Sequence, residues 1–164
     1  MDSYSQANTE TEEDTQTGRF LTFLLGKEMY GIEIRYVTEI IGNQEITQVP
    51  EMPDHIKGII NLRGKIIPVM DVRLRFGKEP KEYDDRTCVI VVDFSSISVG
   101  LIVDSVSEVL TIPPENVDEV PALNGGARSS FVKNIGKLEN GVVLLLDCAK
   151  LLSAEEISAV SEQL

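Results

Sequence analysis

Hydrophobic positions along this chain fall in short runs rich in Ile and Val, broken by polar or glycine-containing segments. β-Branched side chains at that density favour strands over helices. The central example is the stretch from Ile56 to Asp71, where Ile59, Ile60 and Leu62 precede Arg63-Gly64 and Ile66, Ile67, Val69 and Met70 follow it. Gly64 can take the positive φ of a tight reversal. The stretch predicts a buried hairpin with Arg63 pushed outward at its tip. Pro68 lacks an N–H, which places its strand at an edge, a bulge or a barrel corner.

The same pattern predicts the other elements. Phe20–Leu25 and Tyr30–Ile34 read as paired strands around Gly26–Met29, and Val37–Ile41 follows a bend at Arg35-Tyr36. Gly42-Asn43-Gln44 is a turn signal, and Ile46–Pro50 runs into a loop bounded by Pro50 and Pro53. Val72–Phe76 predicts a helical turn ended by Gly77, and the polar stretch Lys78–Arg86 marks a half-boundary. Beyond it, Thr87–Val92, Ile97–Val103 and Val106–Leu110 read as strands, Leu123–Ser130 as a loop, and Phe131–Leu138 with Gly141–Leu146 as a late hairpin. The end reads as helix from about 148 to 164. Ser153 caps, Glu156 reaches back, and Ile157, Val160 and Leu164 share a face.

Two segments match at a constant separation of 69 residues: Gly31, Val37 and Glu39 align with Gly100, Val106 and Glu108, with apolar residues between them in step. Ile66–Asp71 likewise resembles Val142–Asp147. The economical fold is all-β: two five-stranded barrels related by internal duplication, plus a C-terminal helix. The expected division is a first barrel over about 31–86 and a second over about 87–152, with 19–30 packing on either. Units this small bury a limited fraction of their surface, so the two should share an apolar interface and leave a groove between them. Val37 and Val106 should lie near that groove, with Arg63 at its rim.

Composition narrows the function. The chain has 164 residues, 42% of them hydrophobic, and a formal net charge of −12. That sign disfavours nucleic-acid backbone and anionic lipid as partners. Residues 1–18 hold acidic side chains and no basic one, which predicts a disordered acidic tail. Cys88 and Cys148 sit in apolar stretches and read as reduced, packed thiols of a cytosolic protein. No apolar run is long enough to span a bilayer.

A search for catalysis finds no positive sign. His55 is the sole histidine, without a partner for a metal site. Neither cysteine has a neighbour that would activate it. No nucleophile elbow or phosphate loop occurs, and Gly125-Gly126 lacks the strand-to-helix setting of a phosphate cradle. Asp71 and Asp147 each end a strand before a helical segment, as an N-cap does. Asp104, Glu108, Arg35 and Glu39 read as solvated residues near strand ends. What remains is non-covalent recognition. Arg63 is either an exposed turn residue bound to a local acid such as Glu39, or a planar, multi-donor anchor for a partner.

Across Phe20–Leu152 these motifs resemble the CheW family of chemotaxis coupling proteins. The resemblance rests on Tyr30–Ile34, Val37–Ile41, Ile46–Pro50, Ile56–Gly64, Val99–Val106 and Leu145-Leu146-Asp147. It implies two SH3-like barrels, no enzyme activity, no cofactor and no metal. It also implies a cytoplasmic scaffold, recruited to receptor arrays at the inner face of the membrane, that joins chemoreceptors to the histidine kinase CheA. Carried over to matching positions, Val37, Glu39, Gly58, Asn61, Leu62, Arg63, Gly100, Val106 and Val109 are receptor-side candidates for a helical tip lying in the groove. Ile46, Val49, Pro50 and Met52 are kinase-side candidates at one barrel end. Leu123 is a candidate for a second contact, or self-association, that builds rings. Where some family members carry an arginine and an aromatic residue, this chain has Asp118 and Leu123. The length suits a stand-alone coupler rather than a kinase or receiver fusion. Two other classes stay open: a small-ligand-binding β domain using the groove as a pocket, and a hydrolase relying on Asp71 or Asp147.

Overall fold

The structure is a computed structural model that describes residues 17–120 and 131–152. The acidic tail apart from Thr17 and Gly18, the Leu123–Ser130 loop and the helix from Ser153 lie outside the described residues. In chain order the strands are β1 (Arg19–Leu25), β2 (Glu28–Glu33), β3 (Val37–Gly42), β4 (Ile56–Leu62), β5 (Lys65–Asp71), β6 (Cys88–Phe94), β7 (Ile97–Val103), β8 (Ser105–Thr111), β9 (Val117–Glu119), β10 (Val132–Leu138) and β11 (Gly141–Leu146). Short helices α1 (Val72–Arg75) and α2 (Cys148–Leu151) follow β5 and β11.

The strands form two sheets, one ordered β8-β1-β2-β11-β10-β9 and the other β3-β6-β7-β5-β4. The duplication is visible strand by strand, but the opening hairpins are exchanged. The β1–β2 hairpin pairs antiparallel with β8 and parallel with β11. The β6–β7 hairpin pairs antiparallel with β3 and parallel with β5. The registers agree between the two: Val37 faces Val92 as Val106 faces Phe23, and Val69 faces Gly100 as Leu145 faces Gly31. A division at residue 86 therefore does not follow the sheets, because β6 and β7 lie among the strands of the first half. Connection length gives the reason. β7 runs into β8 through Asp104 alone, too short for a hairpin reversal, so the chain crosses to the other sheet. The β2–β3 link, the 3₁₀ turn Ile34–Tyr36, does the same.

Three cores result. The largest is shared by both sheets and joins Phe23, Tyr30 and Ile32 to Val92, Leu101 and Leu151. Ile60, Val69, Val89 and Ile102 pack on the other face of the five-stranded sheet. Ile112, Val143 and Leu145 do so in the six-stranded sheet. In those two smaller cores the chain comes close to itself. A Cβ on Gly100 would lie 2.7 Å from Val89 Cγ1 and 2.8 Å from Val69 Cγ1. On Gly31 it would lie 3.0 Å from Leu145 and Val143 side-chain atoms. The repeated glycine is thus a packing requirement of each half.

Both predicted N-caps are present. Asp71 accepts from the Leu74 amide and Asp147 from the Lys150 amide, each at 3.3 Å. Asp104 departs from expectation. It is not solvated: its carboxylate takes two bonds from Arg73, at 2.7 and 2.6 Å, and one from the Gly26 amide at 2.7 Å. Its side chain is 13% exposed. Pro68 also departs from an edge placement, since β5 lies between β4 and β7. It is tolerated because registered pairing with β7 begins one residue later, at Val69.

Candidate functional site

The β4–β5 turn is built to present Arg63. Asn61 Oδ1 accepts from the Gly64 amide at 2.8 Å, closing the reversal. Arg63 and Gly64 take positive φ values of 52° and 86°. The guanidinium is directed outward, with its side chain 73% exposed, and it clasps Glu39 on β3 through both terminal nitrogens. The hydrogen bond from Arg63 to Glu39, then the carboxylate's charge, raises the Arg63 pKa further. β3 carries a bulge between Val37 and Glu39, and bulges re-aim side chains. The two sequence readings of Arg63 are compatible: it holds a local acid and remains open to solvent.

The other receptor-side candidates divide by burial. Val37 and Val106 are half-buried against the shared core, one on β3 and its repeat mate on β8. Leu62 is half-buried against the smaller core of the five-stranded sheet. Val109 is 40% exposed. Gly58 and Gly100 are buried. Gly58 has φ 145°, and a Cβ there would meet Thr47 O at 2.1 Å, where Thr47 and Ile59 bridge β4 to the preceding segment. Ile40 was not among the candidates, yet it is 44% exposed. It is the repeat mate of Val109, 69 residues earlier, so the duplication itself carried the signal.

Among the kinase-side candidates, Ile46 packs on the small core of the five-stranded sheet and Met52 on the shared core. Val49 is half-buried and Pro50 exposed, beside Glu51 with φ 62°. Leu123 lies outside the described residues. Asp118 is on β9 and pairs with Lys137 at 3.4 Å.

The chemistry of the remaining groups is quiet. Burial, then the nearby Glu33 and Asp147 carboxylates, pushes the Cys148 thiol up to about 12. Asp71 and Asp147 are occupied as caps. Among the described residues no three His, Cys, Asp or Glu side chains are grouped to hold a metal ion. An open cleft of about 780 Å³ lies between the β1–β2 and β10–β11 turns, lined by Leu24, Met29, Leu138, Val142 and Leu144 with Lys27 at its rim. It is formed by the sheet that does not carry Arg63.

A family model described as a CheW-like domain matches residues 19–156. The chain belongs to the CheW family. It is 40% identical over 147 residues to the chemotaxis protein CheW of Klebsiella aerogenes, covering 90% of this chain and 89% of that one. It is 31% identical to CheW of Bacillus subtilis, covering 92% and 97%. Among solved structures it is similar to the scaffolding protein TtCheW from Thermoanaerobacter tengcongensis, with a TM-score of 0.74 and 35% identity over 79% of this chain and 88% of that chain. The mainly-β, two-sheet architecture of this chain is that of a CheW structure. No helix among the described residues is long and apolar enough to cross a membrane.

Proposed function

We propose that this chain is a cytoplasmic, non-enzymatic scaffold that couples chemoreceptors to the histidine kinase CheA in chemotaxis signalling. Its CheW relatives are named chemotaxis proteins, and the solved relative is a scaffolding protein. The observation that carries the reading is the turn at Asn61–Gly64: a solvent-facing guanidinium paired with Glu39. Ile40 follows Glu39 on β3, and its repeat mate Val109 lies on β8 of the other sheet; both are open to solvent. Charged rim plus apolar anchors suits a helical receptor tip. Val37 and Val106 would contribute at the margin of the shared core. Gly58 and Gly100 would act through the close backbone approach they permit, and Leu62 through its packing on the small core of the five-stranded sheet. The kinase regulatory domain would meet the segment of Ile46, Val49, Pro50 and Met52, with Leu123 serving a second contact in ringed arrays at the membrane's inner face.

The experiment is a pulldown with a CheA regulatory domain and a receptor cytoplasmic fragment, separately and then together. Retention of each alone, and of all three as one complex, is the expected result. Failure of both partners to bind would refute the coupling role. A second reading, a small-ligand module, draws on the 780 Å³ cleft, a size that suits small ligands. A metabolite retained in native mass spectrometry would favour it.

A further inference from the structure

We propose that the gap between β8 and β11 can accept the β1–β2 hairpin of a second copy of this chain, giving a reciprocally exchanged dimer. The seat is specific. The hairpin's strand partners outside itself are β8 and β11, both from the second repeat. Among the described residues no strand of its own repeat borders it. The hairpin precedes every other described element, so it can leave without unthreading a strand. Its sister hairpin β6–β7 sits between β3 and β5 in matching register. Within one chain, then, each repeat already completes the other's sheet. The same complementarity holds between chains, and symmetric exchange of an identical element is a low-cost route to a dimer.

The connection supplies a hinge. Ile34–Tyr36 is a single 3₁₀ turn whose N-cap residue, Glu33, makes no side-chain capping bond. Arg35 within it is exposed. Extending these residues would carry the hairpin away while β3 keeps its place against β6. The ties at the far end of the hairpin would re-form with the second copy: the Gly26 amide to Asp104, and Glu28 to Lys78. The exchanged dimer gains no new interface in its sheets. Its share is therefore set by chain concentration against the high effective concentration of the tethered hairpin. Because the hairpin carries Phe23, Tyr30 and Ile32 of the shared core, exchange passes through unfolding of that core, and global unfolding sets the rate.

The test uses full-length chains. Arg19 and Thr111 are directly paired across β1 and β8, a spacing that a disulfide can close. Arg19→Cys and Thr111→Cys chains are mixed, unfolded, refolded at high and at low concentration, and oxidised. The chain carrying both changes is the geometric control, and it should close its disulfide internally at low concentration. A covalent heterodimer joined through the thiols introduced at positions 19 and 111 and not through the native Cys88 or Cys148, at least about tenfold more abundant at high concentration, is the expected result. Wild-type chain refolded at high concentration and then sized after dilution should retain a slowly decaying dimer. Arg35→Pro biases Ile34 toward extended backbone and should raise the dimer share several-fold. Hairpin exchange is overturned if the control closes while the mixture yields no cross-link, or if wild type refolds only as monomer. A dimer in which the thiols introduced at positions 19 and 111 never cross-link would place its interface elsewhere and overturn it as well.

Discussion

Arg63 and Glu39 face each other across the open side of the β4–β5 turn, Nη1 to Oε2 at 3.2 Å, with the arginine side chain 73% exposed. An ion pair this exposed adds little to folding stability, so under the proposed coupling role its part is to hold a cation where a partner can reach it. Arg63→Glu sets two carboxylates against each other at the proposed receptor surface. Binding of a receptor fragment should fall at least about tenfold, as truncation of a charged anchor does. Binding of the kinase regulatory domain and the thermal midpoint should be unchanged. Calorimetric titration with each partner checks this, and unaltered receptor affinity would remove Arg63 from the site.

The glycines give a graded series. At Gly58 an added methyl meets the Thr47 carbonyl at 2.1 Å on a backbone with φ 145°. At Gly100 it meets two valine methyls at 2.7 and 2.8 Å. At Gly31 the nearest atoms are leucine and valine methyls at 3.0 Å. Backbone cannot give way as a side-chain methyl can. Gly31→Ala and Gly100→Ala should each cost about 1–3 kcal/mol, the usual range for overpacking, with Gly100→Ala the larger. Gly58→Ala should exceed both. Urea midpoints of the three variants test the order, and Gly58→Ala as stable as wild type would contradict it.

Much of this fold was legible in the chain. The strand runs, the Arg63 turn, the duplication and both aspartate caps follow from local chemistry: β-branched density, a glycine at a reversal, a carboxylate before a helical turn. What was not legible is which strands meet. The 69-residue repeat says that β1–β2 and β6–β7 are equivalent. It says nothing of whether each stays with its own half or crosses to the other. That choice turns on the one-residue link at Asp104 and the three-residue turn at Ile34–Tyr36. Asp104 itself was misplaced for a related reason. Its partners Arg73 and Gly26 lie 31 and 78 residues away, so no local pattern announces the pair. In the candidate site, Glu39, Asn61 and Arg63 were findable as a group. Ile40 needed the repeat mate Val109 to be noticed.

Asp71 and Asp147 are the same cap in two copies, yet they should not cost the same to remove. Asp147→Ala loses one exposed helix cap, about 1 kcal/mol. Asp71 is buried and also accepts from the Tyr83 hydroxyl at 2.7 Å. Burial, then that bond, holds the Tyr83 phenol well above its ordinary pKa. Asp71→Ala strips both bonds and leaves the half-buried phenol without this acceptor, for about 2–3 kcal/mol in all. Tyr83→Phe should recover part of the loss in the double variant. Equal destabilisation by the two alanine variants would show that the Tyr83 bond adds nothing.

Acid should act on the fold through Asp104. Burial on its own would raise this carboxyl's pKa, but the bonds from Arg73 and the Gly26 amide outweigh it, and the net shift is downward. A carboxyl depressed in the folded chain contributes stability that is fully present above its unfolded value, near pH 4. That contribution is lost as pH falls through the lower, folded value. Asp104→Asn keeps the shape but removes the charge that Arg73, itself 17% exposed, is paired with. At pH 6 the variant should be less stable by about 2 kcal/mol, in the range for a hydrogen-bonded, largely buried charge pair. As pH falls from about 4 through the lower, folded value, the wild type protonates the same group, so the gap between the two proteins should narrow. Urea unfolding of both, followed downward from pH 6 until the gap stops changing, makes the comparison without needing to assign the other carboxylates, which are common to both chains. A gap that stays constant with pH would mean that the loss comes from packing and not from the charge on Asp104.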